Sequence, residues 1–136
     1  MASERHPGFV VEGLLHPEQA DQLTALCLAT SAEELAGLRL RVQVHMVDVE
    51  ETSRHDDRVD VETARRIAGV LGQLLDEPDS WDAEQRALLR GAVEYFHLHD
   101  DQQGDLSGWF GFDDDARITN AVAQALGRAD LLIQLG

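Results

Sequence analysis

Ser31-Ala-Glu-Glu-Leu-Ala-Gly-Leu-Arg-Leu-Arg-Val-Gln-Val-His-Met-Val-Asp-Val49 is the stretch whose reading decides the fold. From Leu38 to Met46 apolar residues alternate with Arg39, Arg41, Gln43 and His45, the period of two expected of a half-buried strand. The same stretch also carries Leu35, Leu38, Val42, Met46 and Val49, whose spacing of three and four makes a helical stripe. Two features favour the helix. Ser31 followed three residues later by Glu34 has the form of a capping box, which marks a helix start. A strand of this length also needs a partner strand, and the only candidate is the segment holding Phe9, Val10, Val11, Leu14 and Leu15. The expected architecture is therefore all-α, a small single-domain bundle of about five helices. A short strand or extended apolar tether at the N-terminus stays open.

Working outward from this stretch, Pro17 stands at the first position of a preceding helix, where its missing N–H costs nothing. Leu23, Leu26 and Cys27 give that helix an apolar side up to about Thr30. On the C-terminal side, His55-Asp56-Asp57-Arg58 is a polar break, and Asp60 is the expected N-cap of a helix striped by Val61, Ala64, Ile67, Ala68, Leu71 and Leu75. Pro78 ends it. Ser80 is expected to cap a fourth helix from Trp81 to about Leu98, with Leu88, Leu89, Ala92, Val93 and Phe96 inward. A loop with Gly104, Gly108 and Gly111 leads to a last long helix from about Asp113 to Leu126, closed by Gly127. Leu131, Leu132 and Ile133 form a short apolar segment expected to pack back on the body.

Composition narrows the function classes. At 136 residues and 43% hydrophobic content, the chain can bury roughly two-thirds of the surface its unfolded form exposes, without a disulfide or a metal. Its 26 acidic and 11 basic residues leave a formal charge of -15, which repels nucleic-acid phosphates and anionic headgroups. No nucleic acid and no membrane are expected as partners. The lone Cys27, set among Leu26, Leu28 and Ala29, reads as a small buried hydrophobe, and the absence of an export signal fits a soluble cytoplasmic protein.

The densest polar cluster is His97-Leu-His-Asp-Asp101-Gln-Gln-Gly-Asp105 followed by Asp113-Asp-Asp115. Oxygen-rich segments of this kind suit hard cations, which makes Asp101, Asp105, Asp114, Asp115 and His97 the metal candidates. The EF-hand pattern fails: a loop starting at Asp101 puts Leu106 where glycine is needed and Phe112 where a bidentate glutamate is needed. His97 and His99, two apart, would diverge by about 200° on a helix. The aspartates also read as caps and first-turn residues, where unpaired N–H groups favour negative charge. No phosphate loop, nucleophile elbow or metal-protease motif occurs, so no catalytic residue and no cofactor are assigned. Trp109, Phe110 and Phe112 either fill the gap between the flanking helices or, if exposed, are the best candidates for a partner contact.

Tyr95, the pair Asp101 and Asp105, then Gly111 and Asp114-Asp115 leading into Ala116 resemble the signature of the YkvA-like family, bacterial helical domains of unassigned function. The similarity covers about residues 85–127, so residues 81–136 read as a YkvA-like helix-loop-helix half and residues 1–80 as an unrecognised helical half. Gln102, Gln103 and Gly104 stand where the family has an apolar residue and proline, a departure from the chemistry behind its membrane association. The resemblance implies capping or buried aspartates and no enzymatic activity. The expected function is a non-catalytic, acidic protein-interaction or regulatory module with an unknown, basic partner or a second copy in a homodimer. The alternatives are a divalent-metal or hydrolytic protein using the loop aspartates, and more weakly a DNA mimic that inhibits a basic protein.

Overall fold

In a computed structural model of the chain, residues 15, 17–56, 60–103 and 113–134 are described, the side chains of 98–103, 113 and 114 excepted. These residues form five α-helices and no strand: α1 (Pro17–Leu26), α2 (Ala32–His55), α3 (Val61–Leu75), α4 (Ala83–Gln103) and α5 (Asp113–Ala125). Single 3₁₀ turns at Pro78–Ser80 and Ala129–Leu131 complete the described elements. The segment Phe9–Leu14, the candidate partner strand, lies outside the described residues; Leu15 at its edge is buried in the core.

α2 is a helix throughout the ambiguous stretch, and its start is the expected capping box. The Ser31 hydroxyl accepts from the Glu34 amide at 3.0 Å, and the Glu34 carboxylate accepts from the Ser31 amide at 2.9 Å. The Ser31 backbone N–H, and then its hydroxyl, hold the Glu34 carboxyl below its usual value. The box therefore contributes in full above the carboxyl's unfolded pKa and fades as pH falls through the lowered folded one. α3 starts where expected, with the Asp60 carboxylate accepting from the Thr63 amide at 3.2 Å.

Three boundaries differ from the sequence reading. α1 stops at Leu26, where the Cys27 amide bonds the Thr24 carbonyl in a tighter turn and the chain leaves the helix. The exit is held from α4: the Arg86 side chain donates to the Thr30 carbonyl at 2.8 Å and Arg90 to the Thr30 hydroxyl at 3.3 Å. α4 is capped by Asp82, not by Ser80. Asp82 and Gln85 exchange bonds of 2.8 and 2.9 Å in a reciprocal box, whereas the residue three beyond Ser80 is Ala83, which has nothing to reach back with. Trp81 is kept out of the helix by its indole N–H, which donates to the Leu74 carbonyl at 2.9 Å. At its far end α4 continues past Leu98 to Gln103, because no glycine or proline interrupts it before Gly104.

α4 is the hub, packing against α1, α2, α3 and α5, and the buried side chains of all five helices join in one core. Phe96, Leu88 and Leu89 of α4 meet Leu35 and Val49 of α2, Ile67, Leu71 and Leu74 of α3 and Ile118 of α5 in that core. α5 ends in a paired turn: Gly127 takes φ +78, its amide bonds the Gln124 carbonyl at 3.0 Å, and the Arg128 amide bonds the Ala123 carbonyl at 2.8 Å. The tail does pack back. Asn120 donates to the Ile133 carbonyl at 2.9 Å and accepts from the Ile133 amide at 2.7 Å, with the Ile133 side chain buried.

The α1–α4 crossing depends on Gly91. A Cβ added there would lie 2.6 Å from the Cys27 sulfur and 3.0 Å from a Leu23 methyl. The Cys27 thiol donates to the Leu23 carbonyl at 3.1 Å, and its burial pushes its pKa up to about 12. Three outcomes are expected. Gly91→Ala lowers stability by about 1–3 kcal/mol in urea unfolding despite its better helix propensity. In a Cys27→Ala background the same change costs less, so the double-mutant cycle shows a coupling of about 0.5 kcal/mol or more. The folded protein's thiol reacts with a disulfide reagent at pH 8 at least roughly a hundredfold more slowly than the unfolded chain's, as the scarce thiolate requires.

Candidate functional site

The segment between α4 and α5 holds half of the sequence candidates. Asp105, Trp109, Phe110 and Phe112 lie outside the described residues. Asp101 falls in the last turn of α4 and Asp114 in the first turn of α5, so Asp101 is helical and not part of a loop. Tyr95 lies within α4, which runs on to Gln103.

Two candidates are placed with their side chains. His97, on α4, is half-buried and faces His45 of α2, with ring centroids 5.5 Å apart. His45 is in turn edge-on to Phe96 at 4.6 Å and is itself buried. Asp115 is buried in the first turn of α5, and its carbonyl oxygen accepts from the Thr119 hydroxyl at 2.8 Å. These groups arise from three different helices and sit within the packing of the bundle. Among the described residues no three His, Cys, Asp or Glu side chains come together as a metal ion would require.

The feature that the sequence reading did not assign lies on α2. On a helix, residues two apart step by about 200°, so an alternating run divides between opposite sides. Leu35, Leu38, Val42, Met46 and Val49 take the inner side and are buried. Leu40, Val44 and Val47 are left on the outer side, exposed by 64%, 53% and 66%. Their spacing of four and three is that of a coiled-coil seam. The signal was present in the alternation itself: once the run is a helix, half of its apolar residues must face away from the core.

This outer stripe adjoins an open cleft of about 420 Å³ between α2 and α3. Val47 belongs to both, and the cleft is lined further by Val42, Met46, Ala68, Gly69 and Gly72. An ion pair stands at each end, Arg39 with Asp76 and Arg65 with Glu50, the latter at 3.1 Å. Gly69 and Gly72 have nothing within 4 Å of where a Cβ would sit, which keeps the α3 wall low. Stripe and cleft together form a shallow apolar surface with charged edges, and the residues it offers are suited to packing and not to bond making.

No family model, curated protein or solved structure matches the chain.

The two sides of α2 should respond differently to truncation. Val42→Ala, on the buried side, is expected to cost about 2 kcal/mol or more in urea unfolding. Val44→Ala, on the outer side, is expected to stay within about 0.5 kcal/mol of the parent. Equal losses at both positions, at a concentration where the chain is monomeric, would mean that the outer stripe is covered within the monomer.

Proposed function

We propose that the chain is a non-catalytic protein-interaction module that docks a protein partner on the outer face of α2. The observation that carries this reading is the row Leu40, Val44 and Val47, three large apolar side chains exposed on one side of one helix. Scattered exposed apolar residues need no explanation, but a row at coiled-coil spacing does, because it leaves an apolar strip two turns long in water. The flanking Arg39, Gln43 and Asp48 would form the polar rim usual for such a contact. The YkvA-like resemblance over residues 85–127 agrees with a role that needs no reaction chemistry.

A photo-crosslinking amino acid at Val44, compared with one at exposed Arg117 on α5, tests the reading in cells expressing the tagged chain. Discrete crosslinked protein species are expected from position 44 and not from 117. Equal, diffuse labelling from both positions would remove the outer face of α2 as a docking surface.

A further inference from the structure

The stripe itself indicates what covers it. Resting on the docking face proposed above, we infer that the partner is a second copy of this chain, bound through an antiparallel pairing of the two α2 helices about Val44. Charge along the helix favours this occupant. The chain as a whole carries -15, so two copies repel over most orientations. α2 carries five acidic and three basic residues, but no acid stands between Glu34 and Asp48, a stretch that holds Arg39 and Arg41. The stripe falls inside that acid-free window, where two copies can meet apolar side to apolar side.

The residues beyond the window choose the direction. Glu33, Gly37, Leu40, Val44, Val47, Glu51 and Arg54 follow one another at alternating spacings of four and three, so all lie along one line of the helix. In a parallel, in-register pair, Glu33 would face Glu33 and Glu51 would face Glu51, like charge on like, with the two helix dipoles aligned. Turned antiparallel about Val44, Glu33 of each copy faces Arg54 of the other, and Leu40 faces Val47. Gly37 then lies opposite Glu51, a small residue making room for a long one. Glu33 and Arg54 are both exposed on the folded chain, and the 2.9 Å bond from Arg54 to Glu51 already draws the guanidinium onto this face. The strip is narrow, one helix per copy, so the association is weak and concentration-dependent.

Sedimentation of the full chain across a concentration series tests this, with far-UV melts confirming that each variant folds. The parent is expected to pass reversibly from monomer to dimer. Val44→Asp weakens the dimer at least tenfold, Glu33→Arg weakens it several-fold, and Glu33→Arg with Arg54→Glu regains most of the loss. As a second measurement, a short bis-maleimide should link Val44→Cys chains to themselves and link Glu33→Cys to Arg54→Cys in a mixture. Native Cys27 is a poor competitor, its thiol being held near 12 by burial. A dimer unaffected by Val44→Asp, or Glu33→Cys linking to itself in preference to Arg54→Cys, would overturn the pairing. A chain that stays monomeric while position 44 still crosslinks another protein overturns the self-association and leaves the docking face standing. A monomer with no crosslinks at position 44 removes both.

Discussion

A single helix can turn only one side toward a core, and α2 carries apolar residues on two. That constraint orders much of the molecule. Burying Leu35, Leu38, Val42, Met46 and Val49 fixes the rotation of α2 against α3 and α4. The same rotation commits Leu40, Val44 and Val47 to solvent. Burying both sides would require a further layer of structure beyond α2, and none is found among the described residues. The cleft beside the stripe follows from the neighbour's composition, since glycines at 69 and 72 leave α3 without side chains to fill the shoulder between the helices.

The turn from α1 into α2 is held by polar groups. α1 is short and loses its helical path at Cys27, so the turn into α2 needs an external hold, which Arg86 and Arg90 supply at Thr30. Both arginines belong to α4, the helix that also accepts α1 across Gly91. One helix thus sets the approach of α1 and the direction in which the chain leaves it. Arg90 further pairs with Glu94 of its own helix at 3.7 Å, and Arg41 of α2 reaches the same carboxylate at 2.7 Å. Glu94 is largely covered, so this link is screened less than the surface ion pairs elsewhere.

The helices were legible because their local signals agreed with their burial. Ser31 with Glu34, Asp60, and Gly127 each satisfy backbone groups within a few residues, so composition alone reveals them. The stripes of α3 and α4 were legible for the same reason, although Val70 and Leu74 were missed because α3 buries more of its circumference than one narrow stripe. The misplaced boundaries are those that no local signal marks. Trp81 is excluded from α4 by a bond to Leu74 of the preceding helix, which no cap rule anticipates. The end of α4 has no apolar stripe to mark it, since its last turn is Asp100-Asp-Gln-Gln103. The acidic segment drew attention through residue type, while the outer face of α2 carries no titratable motif and was hidden inside an alternation that reads first as a strand.

The two-way grip of Asn120 on Ile133 has a consequence for how this chain opens. Ile133 belongs to no helix, yet its amide is held by a side chain in the middle of α5 and its own side chain is buried. Peeling the tail therefore strips a carboxamide of both partners and exposes an isoleucine in the same event. In a hydrogen-exchange experiment that amide would belong with the slowly exchanging helical set and not with the fraying residues beside it, because its release is coupled to the loosening of the core under α5.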